Sequence, residues 1–156
     1  MSGGFDFGSW TVSQIKARLS ELRLKKAAIE AEELALVAAL DSEEAYLSTG
    51  STSTAAMLAQ EAQISGGVAK KMVDLANSLT ALPKLAEALS SGEISREVIG
   101  EVATFATPET EGELLQKAST WSANEAQRFA RRAREITNAE AREINAAREM
   151  KLRWNS

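Results

Sequence analysis

Neither cysteine nor histidine occurs anywhere in this chain. Without cysteine there is no disulfide, no thiolate nucleophile and no Cys-based zinc site. Without histidine the commonest general base and the commonest transition-metal ligand are both gone. Both absences weigh against hydrolases of the triad, zinc or HNH type. No enzyme is expected, and no cofactor or metal. No apolar run reaches the length that crosses a bilayer, so no membrane span is expected. The opening MSGGFDFGSW lacks the basic-then-apolar order of a secretory signal. The chain is expected to be cytoplasmic, and its natural-looking start suggests a small stand-alone protein. Walker and Rossmann glycine patterns are absent as well. The acidic pairs Glu32-Glu33 and Glu43-Glu44 and the run Glu109, Glu111, Glu113 show no metal-ligand spacing.

What is present is alanine, leucine and glutamate, with only two prolines and no β-branched runs. Apolar residues make up 44% of 156 positions, enough for a folded core. The pattern predicts an all-α, multi-helix bundle of about seven helices. Residues 1–10 read as a flexible arm whose Phe5, Phe7 or Trp10 pins it to the core or to a partner. Thr11 or Ser13 caps a long helix over 11–48. Along it Ile15, Leu19, Leu22, Ile29, Leu36, Leu40 and Leu47 fall on a 3-4 spacing, interrupted by Lys26, Glu33 and Glu43. A second apolar row, Leu24, Ala28, Ala31, Leu34 and Ala38, lies elsewhere on the surface. Two rows require more than one buried side. Either this is one long core helix, or it pairs with a second copy, parallel or antiparallel. In the second case Ile15, Leu19, Leu22, Ile29, Leu36 and Leu40 form the dimer interface.

Residues 49–156 read as a helical domain after the polar linker STGSTST. Thr52 or Ser53 caps a short helix to about Ala62, and Ser65 caps the next, to about Leu79. Pro83 starts another, which Ser91-Gly92 ends. Ser95 caps a helix to Phe105. Thr107-Pro108-Glu109 marks a fresh start, running to about Thr120. Ser122 with Glu125 forms a capping box at the head of a long C-terminal helix to about Met150.

Two stretches carry candidate chemistry. Leu58 to Met72, LAQEAQISGGVAKKM, has the helix-turn-helix-like spacing that seats a helix in a DNA major groove. Gln63 stands where the turn usually has glycine, and Gly66-Gly67 stand where side chains would read bases. That leaves Lys70 and Lys71 for phosphate contact, opposed by Asp74. An ordinary structural corner fits the same residues. The second stretch is the last helix, where Arg128, Arg131 and Arg132 share a face, next to Gln127 and Arg134. A solvated face paired with Glu125, Glu135 and Asn138 fits these residues too. Charge is uneven: residues 1–119 carry 10 Lys+Arg against 17 Asp+Glu, and residues 120–156 carry 8 against 5. The C-terminal part is therefore the better polyanion-facing surface.

Read in order, residues 53–153 resemble a known family. Thr54-Ala55 with Leu58-Ala59, Ile64-Ser65, Ala69-Lys70, Leu75-Ala76 and Leu79 to Leu82-Pro83 are followed by Ala88-Leu89 and Gly92-Glu93-Ile94-Ser95. Then come Ala106-Thr107-Pro108-Glu109-Thr110-Glu111, Leu114-Leu115, Ala118, Ser122, the Arg128 to Arg134 block, Arg148 and Arg153. This order is similar to the all-α domain of unknown function (222) that precedes HNH endonuclease domains in the 13E12-repeat family. The resemblance implies a scaffold that positions a nuclease on DNA or dimerises it. The HNH part itself is missing, and position 66, often basic in that family, is glycine. The expectation is a non-catalytic DNA-binding or targeting module with double-stranded DNA as partner. The alternative is a protein-interaction or dimerisation module, a homodimer or the regulator of a nuclease-type partner, without DNA contact.

Overall fold

The computed structural model describes residues 4–154. Among them eight helices and no strand are present. Helix α1, Val12–Ser42, starts with a capping box: Gln14 N–H donates to Thr11 Oγ1 at 3.2 Å, and Thr11 N–H donates to Gln14 Oε1 at 2.8 Å. Its start matches expectation, but its end does not. The helix expected to reach 48 stops at Ser42, Glu44 takes a left-handed φ of 50°, and one further turn, α2 (Tyr46–Thr49), closes on Gly50. The break gives the expected seven helices an eighth. Asp41 anchors this corner by accepting from Thr54 Oγ1 at 2.6 Å and from Asn77 Nδ2 at 2.7 Å.

The remaining helices begin where hydroxyls or proline put them. Ser53 caps α3 (Thr54–Glu61), Ser65 caps α4 (Gly66–Thr80) and Ser95 caps α6 (Arg96–Ala103), each accepting an N–H from the third residue on. Helix α5 (Pro83–Ser91) begins on proline and ends at Gly92, whose φ is 74°. A side chain at Gly92 would also drive into Leu24 on α1, only 2.7 Å from an added Cβ. Helix α7 (Glu111–Ala118) starts later than Thr107-Pro108-Glu109 predicts. Thr107 and Thr110 instead bond each other's backbone and hydroxyl groups across a turn, delaying the helix by one turn. Helix α8 (Ala123–Trp154) opens on the expected Ser122/Glu125 box, with bonds of 2.6 and 3.3 Å, and runs four residues past Met150.

One core joins these helices. Leu34 and Val37 of α1 meet Leu75 and Leu79 of α4, Leu85 and Leu89 of α5, Ile99 and Val102 of α6, and Leu114 of α7. Helices α4 and α5 lie on α1, α7 on α5, and α8 on α6. Alanine allows the last contact to be close: Ala126 and Ala130 are fully buried. Phe129 reinforces the same joint, its ring 4.7 Å from Trp121 and 5.6 Å from Phe105. Of the two apolar rows on α1, only the one containing Ala31, Leu34 and Ala38 faces this core. At the N-terminus, Phe5 stacks on Phe7 at 6.0 Å, Phe7 meets Trp10 edge-on at 5.1 Å, and all three stay exposed instead of joining the core. Residues 1–3 of the expected arm lie outside the described residues.

Two predictions arise from these corners. The Asp41 carboxyl is held below its ordinary pKa, chiefly by the Thr54 hydroxyl and then by Asn77. A depressed folded-state pKa means the unfolded chain binds the proton more readily. The resulting stability is present above about pH 3.9, the ordinary aspartate value, and is lost as pH falls through the lower folded value. Asp41→Asn is expected to flatten that part of the curve when urea midpoints are measured from pH 5 down to pH 2. The second concerns Gln63, which sits at φ 53° in the turn between α3 and α4. A side chain there strains the backbone, whereas glycine does not. Gln63→Gly is expected to stabilise the fold by about 0.5–1 kcal/mol in urea titrations, the relief exceeding the added unfolded-state entropy.

Candidate nucleic-acid interface

The corner between α3 and α4 exists, and the two helices pack against each other. Its chemistry is poor for reading bases. Gly66 and Gly67 open α4 with no side chains, and their Cβ positions face open space. One first-turn N–H, that of Val68, is already taken by Ser65 at 3.3 Å. Further along, Lys70 is bound to Asp74 at 2.9 Å, and Asn77 to Asp41. Helix α4 packs on α1, α3, α5 and α6, and its exposed side carries Val68, Lys70, Lys71, Asp74, Asn77 and Thr80.

Lys71 faces elsewhere. It lines a polar groove of about 1150 Å³ between α1, α4, α6 and α8, whose walls include Arg23, Lys26, Arg96, Gln127 and Arg134. Glu30, Asp74, Glu97 and Glu101 line the same groove, so its charge is nearly balanced. Lys71 thus shares a groove with Arg134 and Gln127, while Arg128, Arg131 and Arg132 lie outside it. Arg23 and Arg96 belong to this groove and carried no sequence signal, because the groove forms from residues far apart in the chain. Among the described residues, no group of three or more carboxylates is placed to hold a metal ion.

Helix α8 presents a different surface. Its root is buried at Ala126 and Ala130, but every residue from 134 to 154 is exposed. At 1.5 Å per residue this free stretch projects about 31 Å. Arg128, Arg131 and Arg132 lie exposed just before it. Arg131, Arg142 and Arg153 are spaced eleven residues apart, three turns each, which keeps them on one side of a straight helix. None of the eight α8 cations makes an ion pair among the described residues, whereas six of the ten elsewhere do. One acid beside the cluster, Glu125, serves the helix start: the Ser122 backbone N–H lowers its pKa most, then the Ser122 side chain, with Arg128 the smallest contributor. The pairing of this face with Glu125, Glu135 and Asn138, allowed by the sequence, does not form.

A third surface is the outer face of α1. Ile15, Leu19, Leu22, Ile29, Leu36 and Leu40 are all exposed, from 37% at Ile15 to 65% at Ile29. The chain itself covers this row only in part.

No curated protein and no solved structure matches the chain. Residues 16–149 match the family described as Domain of unknown function (DUF222). That span takes in most of α1, the whole helical core and nearly all of α8, so the chain belongs to the DUF222 family.

Proposed function

We propose that this chain is a non-catalytic module that seats on double-stranded DNA through phosphate contacts along α8. The observation that carries this reading is the set of exposed cations along α8 that make no ion pair among the described residues. Arg128, Arg131 and Arg132 start the track, and Arg142 and Arg153 continue it. Guanidinium groups suit such contacts because they grip phosphate oxygens in pairs. Lys70 is held by Asp74 and Lys71 shares its groove with Glu30, Asp74, Glu97 and Glu101, so both are secondary. With glycines at the head of α4, binding is expected to follow charge and shape more than sequence. The resemblance to domains that precede HNH endonucleases supports a targeting role, with a nuclease-type partner supplying the chemistry.

Fluorescence anisotropy with a duplex oligonucleotide tests this. Affinity should fall with rising salt, with a slope of about 0.9 per phosphate neutralised. Absence of binding at micromolar protein and about 50 mM salt, where such contacts are strongest, would end the proposal. A second reading, self-association through α1, is favoured by the uncovered apolar row on that helix.

A further inference from the structure

Helix α1 carries its charge in two blocks. Residues 12–27 hold Lys16, Arg18, Arg23, Lys25 and Lys26 against a single acid, Glu21. Residues 28–42 hold Glu30, Glu32, Glu33 and Asp41 and no base. This order opposes the one a helix macrodipole favours, with no acid in the first turn and no base in the last. It therefore does not serve the isolated helix. Nor does the fold use it fully: Glu32 and Glu33 are exposed and make no ion pair among the described residues. The N-terminal part of α1 is also little covered: apart from half-buried Arg18, residues 12–26 are exposed.

We infer that α1 pairs antiparallel with α1 of a second copy of this chain, which rests on the self-association reading above and adds its direction. The apolar row keeps a strict seven-residue repeat from Val12 to Leu40, the pattern of a coiled-coil seam. Lys26 and Glu33 occupy two of its seam positions. In a parallel pair each would face its own copy, placing like charges in contact. In an antiparallel pair, Ile15 packs beside Leu40 of the second copy and Leu19 beside Leu36. Lys26 then lies one turn from the second copy's Glu33, and Lys25 comes level with its Glu30, two residues from its Glu32. The basic half of each helix meets the acidic half of the other. The more exposed N-terminal half of each helix rests along the half that is fixed in the other body.

The absence of cysteine makes the direction measurable with cysteines introduced on exposed positions. Light scattering of the full chain should report a dimer. Under mild oxidation, the double variant Ile15→Cys/Leu40→Cys should cross-link into covalent dimers. Ile15→Cys alone should not, because the two sulfurs would lie about 37 Å apart. Lys25→Glu/Lys26→Glu should weaken the dimer about tenfold with an unchanged circular dichroism spectrum. A strict monomer at about 200 micromolar overturns self-association and the inference with it. A dimer that cross-links through Ile15→Cys alone overturns the antiparallel direction and leaves self-association standing.

Discussion

Arg128→Ala/Arg131→Ala/Arg132→Ala is expected to lower affinity for duplex DNA about a hundredfold at low salt. Each exposed guanidinium on a phosphate is worth about 1 kcal/mol, and 1.4 kcal/mol is a factor of ten. The salt dependence should change with the affinity. Removing three phosphate contacts lowers the slope of log affinity against log salt by about 2.7, whatever the DNA sequence. Alanine is the best helix former, so α8 itself should keep its helical signal. The three arginines are exposed and make no ion pair among the described residues, so the fold loses nothing when they go. A triple variant that binds as well as the parent, with the same salt slope, would remove these residues from the interface.

The largest single-residue effect on stability is expected at Glu111. Its side chain is almost completely buried, at 3% exposure, and Oε2 accepts the backbone N–H of Lys84 at 3.2 Å and of Leu85 at 3.4 Å. These are free donors in the first turn of α5, whose own cap residue, Leu82, supplies no side-chain bond. A carboxylate from α7 thus does the work of an N-cap on α5, with its charge at the end the helix dipole favours. Glu111→Ala should destabilise the fold by about 2 kcal/mol, because it leaves buried donors without partners. For a chain of this size that is a fall of about 4–8 °C in melting temperature. Glu111→Gln keeps an acceptor and loses the charge, so it should lose about half as much. Equal losses for the two variants would show that the interaction is purely ionic.

These two residues sites differ in how visible they are in the sequence. The capping serines 53, 65, 95 and 122, Pro83 and Gly92 act on groups within four residues, and the helix starts they set are legible from local spacing. The Arg128 to Arg132 face is legible for the same reason. Glu111 is not, because its donors lie 26 and 27 residues away and its own surroundings look like one more acidic helix start. Asp41 is similar, tied to residues 13 and 36 positions on, and so the end of α1 at Ser42 was hidden. The two apolar rows on α1 were visible, yet nothing local distinguishes the row with Leu34 from the row with Leu36. Only the positions of α4 and α5 decide which row enters the core. The polar groove around Lys71 draws on four helices and has no local pattern at all.

The free stretch of α8 has one consequence for how its length is constrained. Residues 135–154 are exposed and none of them belongs to the core, so their number can change without disturbing it. The angular phase between its arginines cannot change so freely. One residue inserted between Arg134 and Arg142 turns everything beyond it by about 100° and carries Arg142 and Arg153 away from the side of Arg131. Eleven residues inserted at the same place restore the alignment to within about 20° and move the distal cations outward by about 16 Å. The helix is thus a ruler whose permitted lengths are set by rotation, and its increments are whole groups of turns.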